Sequence, residues 1–247
     1  MQSTFSIVIP ARYASTRFPG KPLADLNGKT MIRRVFEAAS AVPGAQEVII
    51  ATDDEKIYDH THSFARTVLT RPDHPSGTDR CAEILGHLMK PCDVVVNLQG
   101  DEPFIRPEQV LQLVGLFSDP GVQIGTLKKA LYNAEETDNP NTVKVVCDRR
   151  GRALYFSRSR IPYYREPGPE VQYFRHIGMY AYRVGTLQEI SGLQPSVLEN
   201  AEKLEQLRWL EAGYHIAVAE TNWQSPAIDT PEDLEKALLF MKNLSSE

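Results

Sequence analysis

The sequence predicts an α/β protein built on a mostly parallel mixed sheet flanked by helices. Three observations carry this reading. Phe5–Ile9, Glu47–Ala51 and Asp93–Leu98 are short, β-branched and nearly continuous in apolar character, as strands buried on both faces are. Helical periodicity fills the intervals, over Met31–Ala41, Glu55–Phe64 and Thr78–Met89. The resulting βαβα order implies right-handed crossovers and helices on both faces of a parallel sheet.

Phe5–Ile9 opens the sheet, and a basic Pro/Gly-stiffened loop leads from it to the first helix. Glu47–Ala51 and Glu55–Phe64 repeat the strand–helix unit. Val68–Leu69 is a short apolar stretch before a turn, Thr78–Met89 a third helix, and Asp93–Leu98 the most apolar strand. Beyond it the pattern is less regular. Val122–Leu131, Val143–Cys147, Ala153–Phe156 and Phe174–Tyr182 have the aromatic and β-branched content of strands, several suited to antiparallel pairing. Leu198–Glu211 is expected as one helix, with Leu204, Leu207 and Trp209–Leu210 on its apolar face. His215–Ala219 predicts a last strand. Pro231–Lys242 predicts a terminal helix, with Thr230 as N-cap and Pro231 at the first helical position. Pro162–Pro169 is a loop, too short for a domain linker. A single domain over residues 1–247 is expected, with an inserted antiparallel excursion at about 130–200.

Composition narrows the function. Among 247 residues, 42% are hydrophobic and 24% charged, which is ordinary for a soluble globular chain. A net charge of -5 counts against a general nucleic-acid binder, which normally shows a basic face, yet permits a locally basic nucleotide site. Cys81, Cys92 and Cys147 are odd in number and lack metal-ligand spacing, so they read as reduced thiols. The N-terminus has no signal-peptide pattern, and no run approaches the ~20 apolar residues that span a bilayer. A soluble, cytoplasmic protein is expected, without nucleic-acid or membrane partners.

Against that acidic background, Arg12, Arg17 and Lys21 stand together on the loop after the first strand, with Ser15 and Thr16 and no acid among them. Open α/β sheets bind ligands at the carboxyl ends of their strands, and three cations with two hydroxyls suit a triphosphate. Gln99-Gly100-Asp101-Glu102-Pro103 leaves Asp101 at the end of the most apolar strand. Two readings of Asp101 stand side by side there: a magnesium ligand opposite bound phosphates, or part of a turn-forming acidic pair. Asp229 sits one residue before the cap of the last helix, where capping does not require it, and is a second candidate carboxylate.

Pro75-Ser76-Gly77-Thr78 is a hydroxyl-rich turn into a helix, serving either as an N-cap or in base recognition, with Arg71 nearby. Arg158, Arg160 and Arg165 cluster with Tyr163 and Tyr164, a setting for an acidic small molecule because arginine pairs carboxylates bidentately. His176, Gly178 and Tyr180 share one face of a strand, although a lone strand histidine is more often packed than catalytic. His60 and His62 do not converge on a metal. Walker A, Gly-x-Ser-x-Gly and Gly-x-Gly-x-x-Gly motifs are absent.

Taken together, these segments resemble the 3-deoxy-manno-octulosonate cytidylyltransferase (CMP-Kdo synthetase) family. The resemblance runs through Ala11–Leu23, Ser76-Gly77-Thr78, Asn97–Pro103, Asn139–Val146, Ala153–Arg158, His176–Tyr180, Leu204–Arg208 and Asp229–Leu234, in order and over nearly the whole chain. It implies a Rossmann-like nucleotidyltransferase fold and a homodimer that uses CTP and Mg²⁺. By that resemblance, Arg12, Ser15, Arg17 and Lys21 bind the triphosphate, and Asp101 and Asp229 hold magnesium. Arg71, Ser76 and Gly77 match the cytosine end. Gln99, Arg158, Arg165, His176, Tyr180, Glu205 and Gln206 match positions around an eight-carbon acidic sugar. The chain departs from the family pattern at Phe18, commonly leucine, at Pro226-Ala227-Ile228, and at Tyr163-Tyr164 on the rim of the sugar pocket.

The implied reaction is attack of the anomeric hydroxyl of Kdo on the α-phosphorus of CTP, giving CMP-Kdo and pyrophosphate for lipopolysaccharide biosynthesis. Alternatives are an 8-amino-Kdo or sialic acid as acceptor, or a catalytically silent CTP-binding protein. Tyr13-Ala14-Ser15-Thr16 counts against a sialic-acid acceptor, whose enzymes usually have a more glycine-rich loop, and joint retention of Lys21, Asp101 and Asp229 counts against a silent protein.

Overall fold

The unbroken apolar run near the N-terminus folds as strand β1 (Phe5–Ala11), buried at every residue except Pro10. The structure is a computed structural model describing residues 3–14, 18–166, 171–223, 228 and 230–244. It divides into two compact units, one comprising Thr4–Leu111 with Ser225–Glu247, the other Met1–Ser3 with Gln112–Gln224.

In the first unit, helix α1 (Met31–Ser40) follows β1 and buries Met31, Ile32, Val35 and Ala39 along one face. Strand β2 (Ala45–Thr52) pairs parallel with β1. Asp54 caps helix α2 (Glu55–Thr61) by accepting the Lys56 and Ile57 amides, and strand β3 (Arg66–Leu69) then pairs parallel with β2. Helix α3 (Gly77–Ile84) is capped by Ser76. Strand β4 (Val94–Asn97), wholly buried, pairs parallel with the other edge of β1. The order is therefore β3-β2-β1-β4, with Val8 opposite Asn97. That register brings the loops leaving β1 and β4 out side by side. Helix α4 (Pro107–Gly115) follows.

In the second unit, strand β5 (Ile124–Leu131) is followed by the short helix α5 (Ala134–Asp138), then by strands β6 (Lys144–Cys147), β7 (Ala153–Ser157) and β8 (Tyr173–Arg183). β5 pairs antiparallel with β8, and β6 pairs antiparallel with β7 and, at Lys144, with β8. Helices α6 (Val184–Ser191), α7 (Val197–Glu202) and α8 (Gln206–Glu211) lead to strand β9 (Ile216–Glu220), parallel to β5. The expected helix Leu198–Glu211 is thus two helices. Lys203 adopts left-handed backbone (φ 54°) between them, and Arg208 reaches back to the Glu199 carboxylate at 2.6 Å across the corner. A continuous helical periodicity does not reveal such a break.

Helix α9 (Pro231–Leu244) belongs to the first unit. Its Ala237 packs with Leu26, Met31 and Ile228, and Leu234, Leu238 and Met241 adjoin them. Strand and helix elements outside the expected set are β3, α4, α5 and α6, of four to nine residues. The expected helix Thr78–Met89 ends at Ile84 and continues as a 3₁₀ turn, Leu85–His87. Among the described residues, no helix is long and apolar enough to cross a membrane.

Candidate active site

Where β1 and β4 end together, two glycines let their loops close on Pro10. A β-carbon on Gly100 would lie 3.0 Å from the Pro10 carbonyl oxygen, and one on Gly77 3.3 Å from its ring. Beside them opens a cavity of about 300 Å³, lined by Arg12, Lys21, Ser76, Gly77, Gln99 and Asp101 together with Ala14 and Pro75. Residues from three separate loops, all singled out in the sequence, therefore line one cavity.

Its electrostatic centre is the Lys21 ammonium, 2.6 Å from an oxygen of Asp101. The Lys21 side chain is 12% exposed and that of Asp101 31%, so the pair faces the cavity without being sealed from water. Gly20 (φ 71°) turns the loop that delivers Lys21 and donates its amide to the Tyr13 carbonyl at 2.9 Å. The Arg12 guanidinium donates to the His74 carbonyl, and the His74 ring in turn is hydrogen-bonded to Glu83 of α3. Glu83 also accepts the Arg71 amide at 3.1 Å. Burial pushes the Glu83 carboxyl up, but the His74 and Arg71 hydrogen bonds and charges hold it below the ordinary value. Arg80, fully buried, donates to Asp53 at 2.8 Å and to the Thr70 hydroxyl, anchoring the same loop from beneath.

Arg71 itself is largely exposed, 3.6 Å from Asp73 and 3.9 Å from Glu83. Ser15, Arg17 and Asp229 lie outside the described residues. The remaining donor set suits a hard cation. Asp101 offers carboxylate oxygen in the lining of the cavity, and Mg²⁺ is characteristically held by one or two carboxylates plus substrate phosphates. Among the described residues no three His, Cys, Asp or Glu side chains gather into a closed metal cage.

Within the second unit, His176 and Tyr180 of β8 come together as expected for one strand face, their rings 5.3 Å apart. The His176 ring meets Phe156 edge-on at 4.9 Å, and Tyr180 meets Trp209 of α8 at 5.0 Å. Burial, helped by the Arg175 charge, lowers the His176 pKa to about 3, so the imidazole is neutral at physiological pH. Burial also raises the Tyr180 phenol well above its ordinary value, and its oxygen has no hydrogen-bond partner among the described residues. Gln206 is buried at the start of α8 and Glu205 precedes it, half-buried. The Arg158 guanidinium donates to the carbonyls of Glu202 (2.7 Å) and Pro140 (3.1 Å), clamping the end of β7 to α7. Arg165 is exposed.

Sequence reasoning missed His74, Glu83 and Arg80, which hold the cavity's loop, and Thr126, which bonds to His176 at 2.9 Å. Their partners lie from nine to 62 residues away along the chain, relations that helix or strand spacing does not signal.

Residues 6–218 match the model of a protein family described as cytidylyltransferase. The 3-deoxy-manno-octulosonate cytidylyltransferase of Cytophaga hutchinsonii is 51% identical over 243 residues, covering 95% of this chain and 97% of its own. Its counterpart in Porphyromonas gingivalis is 46% identical, covering all of both chains. A solved structure described as CMP:2-keto-3-deoxy-manno-octonic acid synthetase complexed with CTP superposes with a TM-score of 0.91 at 46% identity, covering 98% of this chain and 99% of that one. The 4-diphosphocytidyl-2C-methyl-D-erythritol synthase of Anaerococcus prevotii, 15% identical with a TM-score of 0.63 and coverage of 97% and 96%, shares the fold alone.

Proposed function

Because the chain belongs to the 3-deoxy-manno-octulosonate cytidylyltransferase family, we infer that it transfers a cytidylyl group from CTP to the anomeric hydroxyl of Kdo, releasing pyrophosphate. The observation that carries this reading is the Lys21–Asp101 pair, set in a cavity at the carboxyl ends of two parallel strands.

In-line displacement at the α-phosphorus places growing charge on phosphate oxygens and on the departing pyrophosphate. Catalysis is then mainly positioning and electrostatic stabilisation. Lys21 exchanges Asp101 for phosphate oxygens when the triphosphate binds, and Arg12, oriented by the His74 carbonyl, lies along the same wall. Ser15 and Arg17 complete the triphosphate set, and Ser76, Gly77 and Arg71 serve the cytosine end. Asp101 and Asp229 would hold Mg²⁺, which supplies charge neutralisation for phosphate oxygens and acidity for a coordinated hydroxyl. Gln99, Arg165, His176, Tyr180, Glu205 and Gln206 serve the acidic sugar. Arg158 serves that pocket through the carbonyls it clamps. A homodimer acting in the cytoplasm for lipopolysaccharide synthesis belongs to the same reading, supported by family membership.

Product analysis tests it. Purified protein with CTP and Mg²⁺ is offered Kdo, 8-amino-Kdo and sialic acid in parallel. A CMP-sugar formed from Kdo, and lost when ATP replaces CTP, is expected. CTP binding with no product from any acid would contradict it.

A further inference from the structure

We propose that Thr126 is a positioning residue that fixes the His176 proton on Nε2, so that Nδ1 is presented as an acceptor for a hydroxyl of the sugar acid. The proposal rests on the reading that His176 faces that sugar.

The reason begins in the strand pairing. Thr126 of β5 lies opposite Tyr180, but the next residue, Leu127, lies opposite Ile177. Gly178 and Met179 are thus looped out of register, a bulge that turns carbonyls away from the ladder. Two of these carbonyls find the Thr126 hydroxyl, that of Met179 at 2.8 Å and that of Ile177 at 3.1 Å. His176 Nε2 lies 2.9 Å from the same oxygen. Thr126 is fully buried, so water does not compete.

A hydroxyl has one proton to give and two lone pairs to receive. Carbonyl oxygens only accept. Donation to the imidazole would set the threonine oxygen lone pair to lone pair against both carbonyls, where donation to a carbonyl leaves one such contact and lets Nε2 donate as well. The proton therefore goes to a carbonyl, and Nε2 carries its own hydrogen to donate to Oγ1. With the ring neutral, Nδ1 keeps its lone pair. That nitrogen has no partner among the described residues, and His176 as a residue is half-buried. Phe156 meets the ring edge-on with centroids 4.9 Å apart, and Tyr180 lies tilted against it at 5.3 Å.

The chemical consequence is selective. A neutral imidazole lone pair accepts from a hydroxyl and repels a carboxylate. His176 thereby meets the polyol part of the sugar acid, and the carboxylate is received elsewhere.

The test combines ¹⁵N NMR of the histidine ring with kinetics on Thr126→Val, which keeps the shape but loses the hydroxyl, and on Thr126→Ser, which keeps it. Wild type is expected to show the Nε2–H tautomer at neutral pH. Thr126→Val is expected to lose that single tautomer and to raise KM for Kdo about five- to tenfold, the size of one hydrogen bond, with KM for CTP unchanged. Thr126→Ser restores both. An Nδ1–H tautomer in wild type overturns the proposal whether or not the variants fold. So does an unchanged tautomer in folded Thr126→Val. A shifted tautomer with unchanged KM for Kdo overturns the recognition role, and His176→Ala locates the fault. If that variant raises KM for Kdo, Thr126 is the misreading; if it does not, the assignment of His176 to the sugar pocket fails.

Discussion

At the scale of single residues, the cavity works by having its charges held before the substrate arrives. Glu83 is the anchor of one such arrangement: it binds the His74 ring and the Arg71 amide, and the His74 carbonyl receives Arg12. Glu83→Gln keeps the size and loses the charge. It is expected to raise KM for CTP about tenfold, comparable to one charge-assisted hydrogen bond, with a smaller effect on kcat. Steady-state kinetics at varied CTP checks the split. His176 makes a separate prediction. Its pKa of about 3 lies below the ordinary 6.5 because burial, then the Arg175 charge, disfavours the cation. Between those two values the unfolded chain binds more protons than the folded one, so stability rises with pH through that window. The contribution is complete above about pH 6.5 and is lost as pH falls toward 3. Urea unfolding of wild type and His176→Gln below and above pH 6.5 should show a shallower slope in the variant.

At the scale of elements, the site depends on how closely the loops after β1 and β4 approach. Gly100 permits that approach, since its β-carbon would stand 3.0 Å from the Pro10 carbonyl oxygen. Gly100→Ala forces backbone apart rather than a flexible side chain. A loss of about 1–3 kcal/mol in stability is expected, as for other overpacked positions, accompanied by weaker CTP binding. Thermal unfolding and CTP titration measure the two. The strands that build this edge were legible because both are buried on two faces and therefore read as continuous apolar runs, Phe5–Ile9 and Val94–Val96. β3 was not. Its four residues are half-buried or exposed and carry no such run. The break at Lys203 was also hidden, because α7 and α8 keep helical spacing on both sides of one left-handed residue.

At the scale of the whole molecule, a chain of net charge -5 places Arg12 and Lys21 together in the lining of one cavity of about 300 Å³. Arg12, Lys21, Ser76, Gly77, Gln99 and Asp101 were legible as candidates because each stands beside a strand end or a helix cap. Their convergence follows from the order β2-β1-β4, which local sequence does not specify. The assignment of His176 and Tyr180 to the sugar depended on resemblance, since both look like core residues by every local criterion and are packed among aromatic rings. The arginines Arg158 and Arg165, by contrast, pointed to an acidic guest by their own chemistry. The central claim is that Lys21, exchanging Asp101 for phosphate oxygens when the triphosphate binds, stabilises charge at the reacting phosphate. The most direct measurement is single-turnover pyrophosphate release with saturating CTP, Mg²⁺ and Kdo, comparing wild type with Lys21→Ala. A fall of roughly a hundredfold or more is predicted, in line with loss of a preorganised electrostatic stabiliser. A near-normal rate from the folded, CTP-saturated variant would contradict it.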